Sequence, residues 1–243
     1  VGTTLVELSG ADSEVCDVIG GSTVSGTNAY RNNTVKLGSS EVHVTDAYVS
    51  GWVLGGNDVN WFGTGSVDGT TAITVDGAAR VGTVIGANTA TFWGGYMFGA
   101  GVREASMTGS TSISITADST AGMVIGAGYA ESSHESGSPS VGDGTTSGRQ
   151  ESDLNSAAVS TLNGDTQVSV SGNAEVGVLV GAGYSWSDAN YLIDNELKQT
   201  QRANAHMTGT ASTNLSGGSV GQWILGGLAE GYGESILEGN AVR

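Results

Sequence analysis

The sequence predicts an all-β chain wound as a right-handed parallel β-helix of about six three-strand rungs, with hairpin or loop insertions at one edge and a single domain over residues 1–243. Three observations carry this. The first is a spacing that recurs six times: a glycine, an apolar residue six positions on, and a second glycine eleven positions later. The first glycines are Gly2, Gly38, Gly69, Gly109, Gly164 and Gly209, and the second are Gly20, Gly55, Gly86, Gly126, Gly181 and Gly226. The interval is 17 residues in five units, and the first has one residue more. Internal repetition on this scale marks a stacked architecture, because one unit cannot bury its own apolar face.

The second observation is alternation after each first glycine. Val42 and Val44, Ile73 and Val75, Ile113 and Ile115, and Val168 and Val170 point one way, while His43, Thr74, Ser114 and Ser169 point the other. Period two with one apolar face is a half-buried strand. The third is composition: 41 glycines, one proline and 13% charged residues suit short strands and turns better than helices.

In order along a unit, the first strand runs into a turn such as Asp76-Gly77 or Ser171-Gly172-Asn173, built from good turn formers. The second strand ends at the second glycine behind two apolar columns. One is Val18, Val53, Val84, Val124, Leu179 and Ile224; the next is Ile19, Leu54, Ile85, Ile125, Val180 and Leu225. Adjacent strand positions face opposite ways. The second column is therefore either a corner at the glycine or a lateral apolar stripe outside the rod, covered by insertions or by another molecule. After it comes a column nearly without side chains, Gly21, Gly56, Ala87, Ala127, Ala182 and Gly227, which allows close approach to the backbone. A third strand returns through segments such as Ala105-Ser106-Met107-Thr108 and Ala205-His206-Met207-Thr208. A β-sandwich would account for strands and turns, but not for residue types shared between units.

The variable parts lie between the second glycine and the next first glycine, with 17, 13, 22, 37, 27 and 12 intervening residues. All insertions thus leave at one edge, often the binding side of a repeat protein. Trp61, Phe62, Phe92, Trp93, Tyr96 and Phe98 fall in successive insertions. They either pin these to the rod as a satellite core or form an aromatic platform for sugar or protein.

A net charge of −16 with only eight Lys and Arg argues against nucleic-acid partners. No apolar run reaches the roughly 20 residues of a membrane span, so no membrane insertion is expected. The chain begins at Val1 without methionine, which points to a leader or upstream region that has been removed or left out of this sequence. Cys16, the single cysteine, is expected to pack as a small hydrophobe.

No catalytic residue and no metal site is assigned. The outward acids Glu7, Glu41 and Asp76 do not share one position. Glu131, Glu135, Asp143, Glu151, Asp153, Asp188, Asp194 and Glu196 read as solvated insertion charges, with a weak calcium site among them the remaining cofactor. His43, His134 and His206 are far apart in the repeat frame and lack the spacing of zinc ligands. The outward column Glu7, His43, Thr74, Ser114, Ser169 and Asn214 is too irregular for an ice-binding threonine ladder.

The segment GDTQVSVSGNAEVGVLVGAGY, residues 164–184, resembles the glycine-rich repeats of bacterial surface proteins with parallel β-helix passengers. These are autotransporter-passenger and adhesin-like proteins, whose units read G-x-T-x-V-x-V-x-G and then V-x-G-x-V-x-G-G-G. The resemblance covers essentially the whole chain. It implies an extracellular, cell-surface, non-enzymatic protein; a polysaccharide lyase or hydrolase is the remote alternative on this fold.

The two ends complete the reading. Leu5, Val6 and Leu8 open the first unit, while Ile236, Leu237, Gly239 and Val242 enter a seventh, with Gly239 thirty residues after Gly209. Exposed strand edges invite pairing. One expectation is head-to-tail association of copies into a filament or layer. The other is an excerpt of a longer adhesin that binds glycan or a host or cell-surface protein.

Overall fold

The computed structural model describes residues 2–24, 33–60, 63–94, 102–134, 156–187, 190–193, 196–199, 201–231 and 233–242. It is a parallel β-helix. The first strands, Thr3–Ser9, Ser39–Thr45, Thr71–Asp76, Thr111–Ile115 and Thr166–Ser171, stack in that order and are followed by the second half of Gln201–Ser216. Register holds throughout, so that Leu8, Val44, Val75, Ile115, Val170 and Leu215 form one column. The second strands Tyr48–Leu54, Arg80–Ile85, Thr120–Ile125, Glu175–Val180 and Ser219–Leu225 stack likewise, with Glu14–Val15 and Val18–Ile19 below them. Among the described residues, no helix is long and apolar enough to cross a membrane.

Each coil carries one segment more than the three-strand rung. Directly after the second glycine lie Thr23–Val24, Asp58–Asn60, Thr89–Gly94, Tyr129–His134, Tyr184–Ser187 and Leu228–Gly231, a sheet of their own. These corner strands sit in what reads as insertion because their inward residues are small, as in Ala90 and Ala130, and alternation of alanine with polar residues gives little apolar signal. The return strands Asn33–Leu37, Gly63–Asp68, Val102–Thr108, Ser156–Asn163, the first half of Gln201–Ser216, and Gly233–Val242 then join the sheet of the first strands, folding over at the first glycine. Gly69, Gly109, Gly164 and Gly209 take positive φ, as at Gly109 (+141°), where a Cβ would fall 1.8 Å from the carbonyl oxygen of Gly69 one coil below. Only glycine combines that dihedral with that approach.

Three apolar clusters fill the interior. Between first and second strands lie Val42, Val44, Val53, Ile73, Val84, Ile113, Val124 and Leu179. Met107, Leu162 and Met207 of the return strands meet Ala87, Ala127 and Ala182 in the middle. Corner and return strands press together through Val59, Ala90, Ala105, Ala130, Ala158 and Ala203. A fully buried Val or Ile in such columns stabilises by about 1.5–3 kcal/mol.

Two polar ladders cross this interior. Thr71, Thr111 and Thr166 donate their hydroxyls to the carbonyls of Gly86, Gly126 and Gly181 at 2.6, 2.6 and 2.7 Å. Thr4 and Ser40 do the same to Gly20 and Gly55. At the corner, Asn88 Oδ1 accepts from the amide of Asn57 at 2.7 Å, and Asn57 Oδ1 accepts from the amide of Ser22 at 3.1 Å. What approaches the side-chain-poor column is therefore the chain itself: a Cβ at Gly56 would lie 2.4 Å from Asn88 Oδ1.

The interruptions of the described chain all fall between corner and return strands, and one insertion holds an antiparallel pair, Asn190–Ile193 with Glu196–Gln199. Asp76-Gly77 and Ser171-Gly172-Asn173 turn as expected, with φ of +66° at Gly77 and +71° at Gly172. Cys16 corrects its expectation. It is exposed, because Val15 and Val18 take the two inward places and leave Cys16 and Asp17 outside.

Candidate functional site

The lateral stripe lies outside the coil, in the angle after the second strand, and is covered in part by insertion residues rather than exposed. Leu54, Ile85, Ile125 and Val180 are at most 1% exposed, yet they belong to a fourth cluster separate from the interior ones. Alternation explains this. Val53, Val84, Val124 and Leu179 point into the coil, so the next residue points out of it. It points into the concave angle between the second strands and the corner strands, where Trp52, Met123, Tyr129 and Tyr184 cover it. Ile19 and Leu225, at the ends of the column, are only partly buried.

The covering side chains come from two outward columns. On the second strands, in register, stand Trp52, Thr83, Met123, Val178 and Trp223. Facing them on the corner strands stand Asp58, Thr89, Tyr129, Tyr184 and Leu228. Trp52 reaches over the Thr83 coil to meet Tyr129 edge-on, with ring centroids 5.6 Å apart and planes at 76°. Tyr129 leans on Tyr184 of the next coil at 5.2 Å and 55°. Both geometries lie in the favourable range for aromatic pairs.

The tyrosine hydroxyls are turned away from the stripe. Tyr129 donates to Glu131 Oε2 at 2.8 Å, and Tyr184 donates to the Glu230 carboxylate. Burial first, and the adjacent carboxylates second, raise both phenols well above the ordinary tyrosine value, so both remain protonated donors. Beneath them is a cleft of about 150 Å³ over Ile85 and Ile125, walled by Trp52, Thr83, Met123, Tyr129 and Tyr184. A separate polar group lies on the corner strands, in register below Tyr129. Asp58 accepts from Thr89 Oγ1 at 2.8 Å and from Asn60 Nδ2 at 2.9 Å, and burial lifts its pKa above 3.8. Asp17 accepts from the amide of Trp52 at 2.8 Å.

Sequence reading did not single out this aromatic group. The signal was available as position: Trp52 and Trp223 stand third before the second glycine, and Tyr129 and Tyr184 third after it. Of the aromatic platform, Trp61, Phe62, Tyr96 and Phe98 lie outside the described residues. Phe92 and Trp93 are placed by their backbone in the corner strand Thr89–Gly94.

The end residues are where the repeat frame put them. Leu5 faces outward, 60% exposed and in register with Glu41, whereas Val6 and Leu8 pack against the interior from its first layer. At the other end Gly239 stacks on Gly209, and Leu237 on Met207 beside the middle cluster, while Ile236 is exposed over His206. Among the described residues this pairing runs as far as Ser212 with Val242. Leu215 is 47% exposed, although Val44, Val75, Ile115 and Val170 of the same column are at 0%. Trp223, at the top of the cleft column, is 55% exposed.

His43 sits 2.7 Å from Glu41, and His206 3.5 Å from Glu238. Among the described residues no group of three or more His, Cys, Asp or Glu is gathered to hold a metal ion. No family model, curated protein or solved structure matches the chain.

Proposed function

We propose that this is a structural protein of a cell surface, extracellular and non-catalytic, whose coil edges are stacking surfaces for head-to-tail association of copies. The observation that carries the reading is Leu215, an interior-column residue 47% exposed at one end of the rod. Its column begins at the other end with Leu8. A copy laid on in phase places Leu8 over Leu215 and Val6 over Thr213, the same neighbours that every inner coil has. A contact between unlike ends does not close on itself and gives an open polymer. Charge opposes it: at −16 per chain, association is expected to strengthen as salt screens the repulsion.

Sedimentation velocity and electron microscopy across a concentration series test this. Head-to-tail oligomers or fibres are expected, and Leu215→Lys with Trp223→Lys should abolish them. A monomer at every concentration and salt would overturn the reading.

A second reading rests on the insertions, which all leave the rod on one edge. In it the chain is a stretch of an adhesin, related to the autotransporter-like passengers it resembles, and the insertions take glycan or a host or cell-surface protein, with calcium a further ligand for their carboxylates. Binding of the 243-residue chain to a glycan array separates this from stacking alone.

A further inference from the structure

The cleft over Ile85 and Ile125 opens where the short Thr83 stands in its wall between larger residues. Thr83 stands between Trp52 and Met123 in one outward column, and Thr89 stands below Tyr129 in the other. Larger side chains fill the neighbouring coils, and the Trp52–Tyr129 contact bridges the gap. The floor is branched aliphatic and buried, with Ile85 and Ile125 each at 1% exposure. Both tyrosine hydroxyls are committed to carboxylates, and Tyr129, Tyr184 and Thr83 line the cleft.

We propose that this cleft is a binding site for a single uncharged aromatic ring. The volume, about 150 Å³, is that of apolar cavities that take up benzene. Ring edges and a thioether on the walls suit an aromatic occupant: Trp52 and Tyr129 offer edge-to-face partners, and Met123 a sulfur–aromatic contact. A carboxylate-bearing ring is disfavoured by Glu131 and Glu230, which accept from the two tyrosine hydroxyls. Because Ile85 lies on the second strand and Tyr129 on the corner strand, an occupant would also tie the two sheets together across their concave angle.

Methyl-detected NMR tests the site, with benzene, phenol, benzoate and tetramethylammonium as probes on the full chain. Benzene and phenol are expected to shift the Ile85, Ile125 and Thr83 methyl signals saturably and to raise the melting temperature. Benzoate should bind at least tenfold more weakly. Thr83→Met, which puts the next coil's residue into the gap, should fold and lower benzene affinity at least tenfold, whereas Thr83→Val, which keeps the gap, should retain it. Absence of saturable shifts, unchanged affinity in Thr83→Met, or loss of binding in Thr83→Val overturns the proposal. Tetramethylammonium binding more tightly than benzene also overturns it, by making the cleft a cation cage. These outcomes are independent of whether copies stack.

Discussion

Thr111 Oγ1 donates to the carbonyl of Gly126 at 2.6 Å across the interior of the coil. The bond recurs from Thr4 to Thr166 and ends where the sixth coil has Ala211 in the hydroxyl's place. There the carbonyl of Gly226 instead takes the amide of Ala182 at 2.7 Å. The hydroxyl is present where a glycine carbonyl needs it and absent where the backbone supplies the donor.

Thr111→Val tests that bond at nearly constant volume. It leaves the buried Gly126 carbonyl without its hydroxyl, and an unsatisfied buried acceptor costs about 1–3 kcal/mol. Thr111→Ser keeps the donor and loses one methyl, for about 1 kcal/mol or less. Urea denaturation should rank wild type, Ser and Val in that order of decreasing stability. Equal stability of wild type and the Val variant would remove the ladder from the account of the fold.

The first-glycine corner predicts a sharper contrast. At Gly109 a Cβ meets the Gly69 carbonyl oxygen at 1.8 Å with φ at +141°, whereas at Gly2 nothing lies within 4 Å of the added atom. Gly109→Ala should destabilise by more than about 2 kcal/mol, since strain and a backbone clash combine. Gly2→Ala should stay within about 0.5 kcal/mol of wild type. Thermal melts of the two variants decide it.

These two sites also mark what the sequence made legible. The apolar columns were readable because Val42 and Val44 alternate with polar neighbours, and alternation is a direct image of the pleat. The corner strands were not, since Ala90 and Ala130 face inward with too little apolar contrast to announce a strand. The stripe from Leu54 to Val180 was visible as a column, but whether its outward face was a corner, an interface or a second core depends on side chains from another sheet. Tyr129 and Tyr184 supply that cover from the corner strands and Trp52 adds to it from the second strands; their places three residues from a second glycine are the trace of it in the sequence. Thr111 was overlooked because a hydroxyl facing inward breaks the polar-out rule until its acceptor is known.

Asp58 gives a pH dependence with a defined sign. Burial raises its folded pKa above 3.8, against the opposing hydrogen bonds from Thr89 and Asn60, and the charge of Asp17 adds to the rise. The folded state therefore holds this proton more tightly than the unfolded state, so stability from Asp58 is full below the unfolded pKa and is lost as pH rises through the folded one. Asp58→Asn cannot titrate. In urea titrations starting near pH 4, wild type should lose stability relative to Asp58→Asn as pH rises, with the difference levelling off above the folded pKa. A gap that does not change with pH would show that Asp58 ionises equally well in both states.

The end of the described chain makes a prediction about association that the column argument alone does not. Gly239–Val242 already lie in register on Gly209–Ser212. In an in-phase stack, these four positions are the places that Gly2–Leu5 of the following copy would take, since Gly2 and Gly239 are both first glycines. Val6–Ser9 of that copy are the residues that would cover Thr213–Ser216, and with them Leu215. One of the two tetrads must therefore give way before the interior column closes. Because strand pairing at an edge is readily exchanged for pairing of the same kind, the exchange costs little enthalpy but raises the barrier and weakens the complex. A chain ended at Glu238 should associate at least tenfold more tightly than the 243-residue chain, and Leu215→Lys in that shortened chain should cancel the gain. Sedimentation equilibrium of the three proteins at matched ionic strength reads both effects. Unchanged association on shortening would mean that the two tetrads do not compete, and the in-phase stack would fall with it.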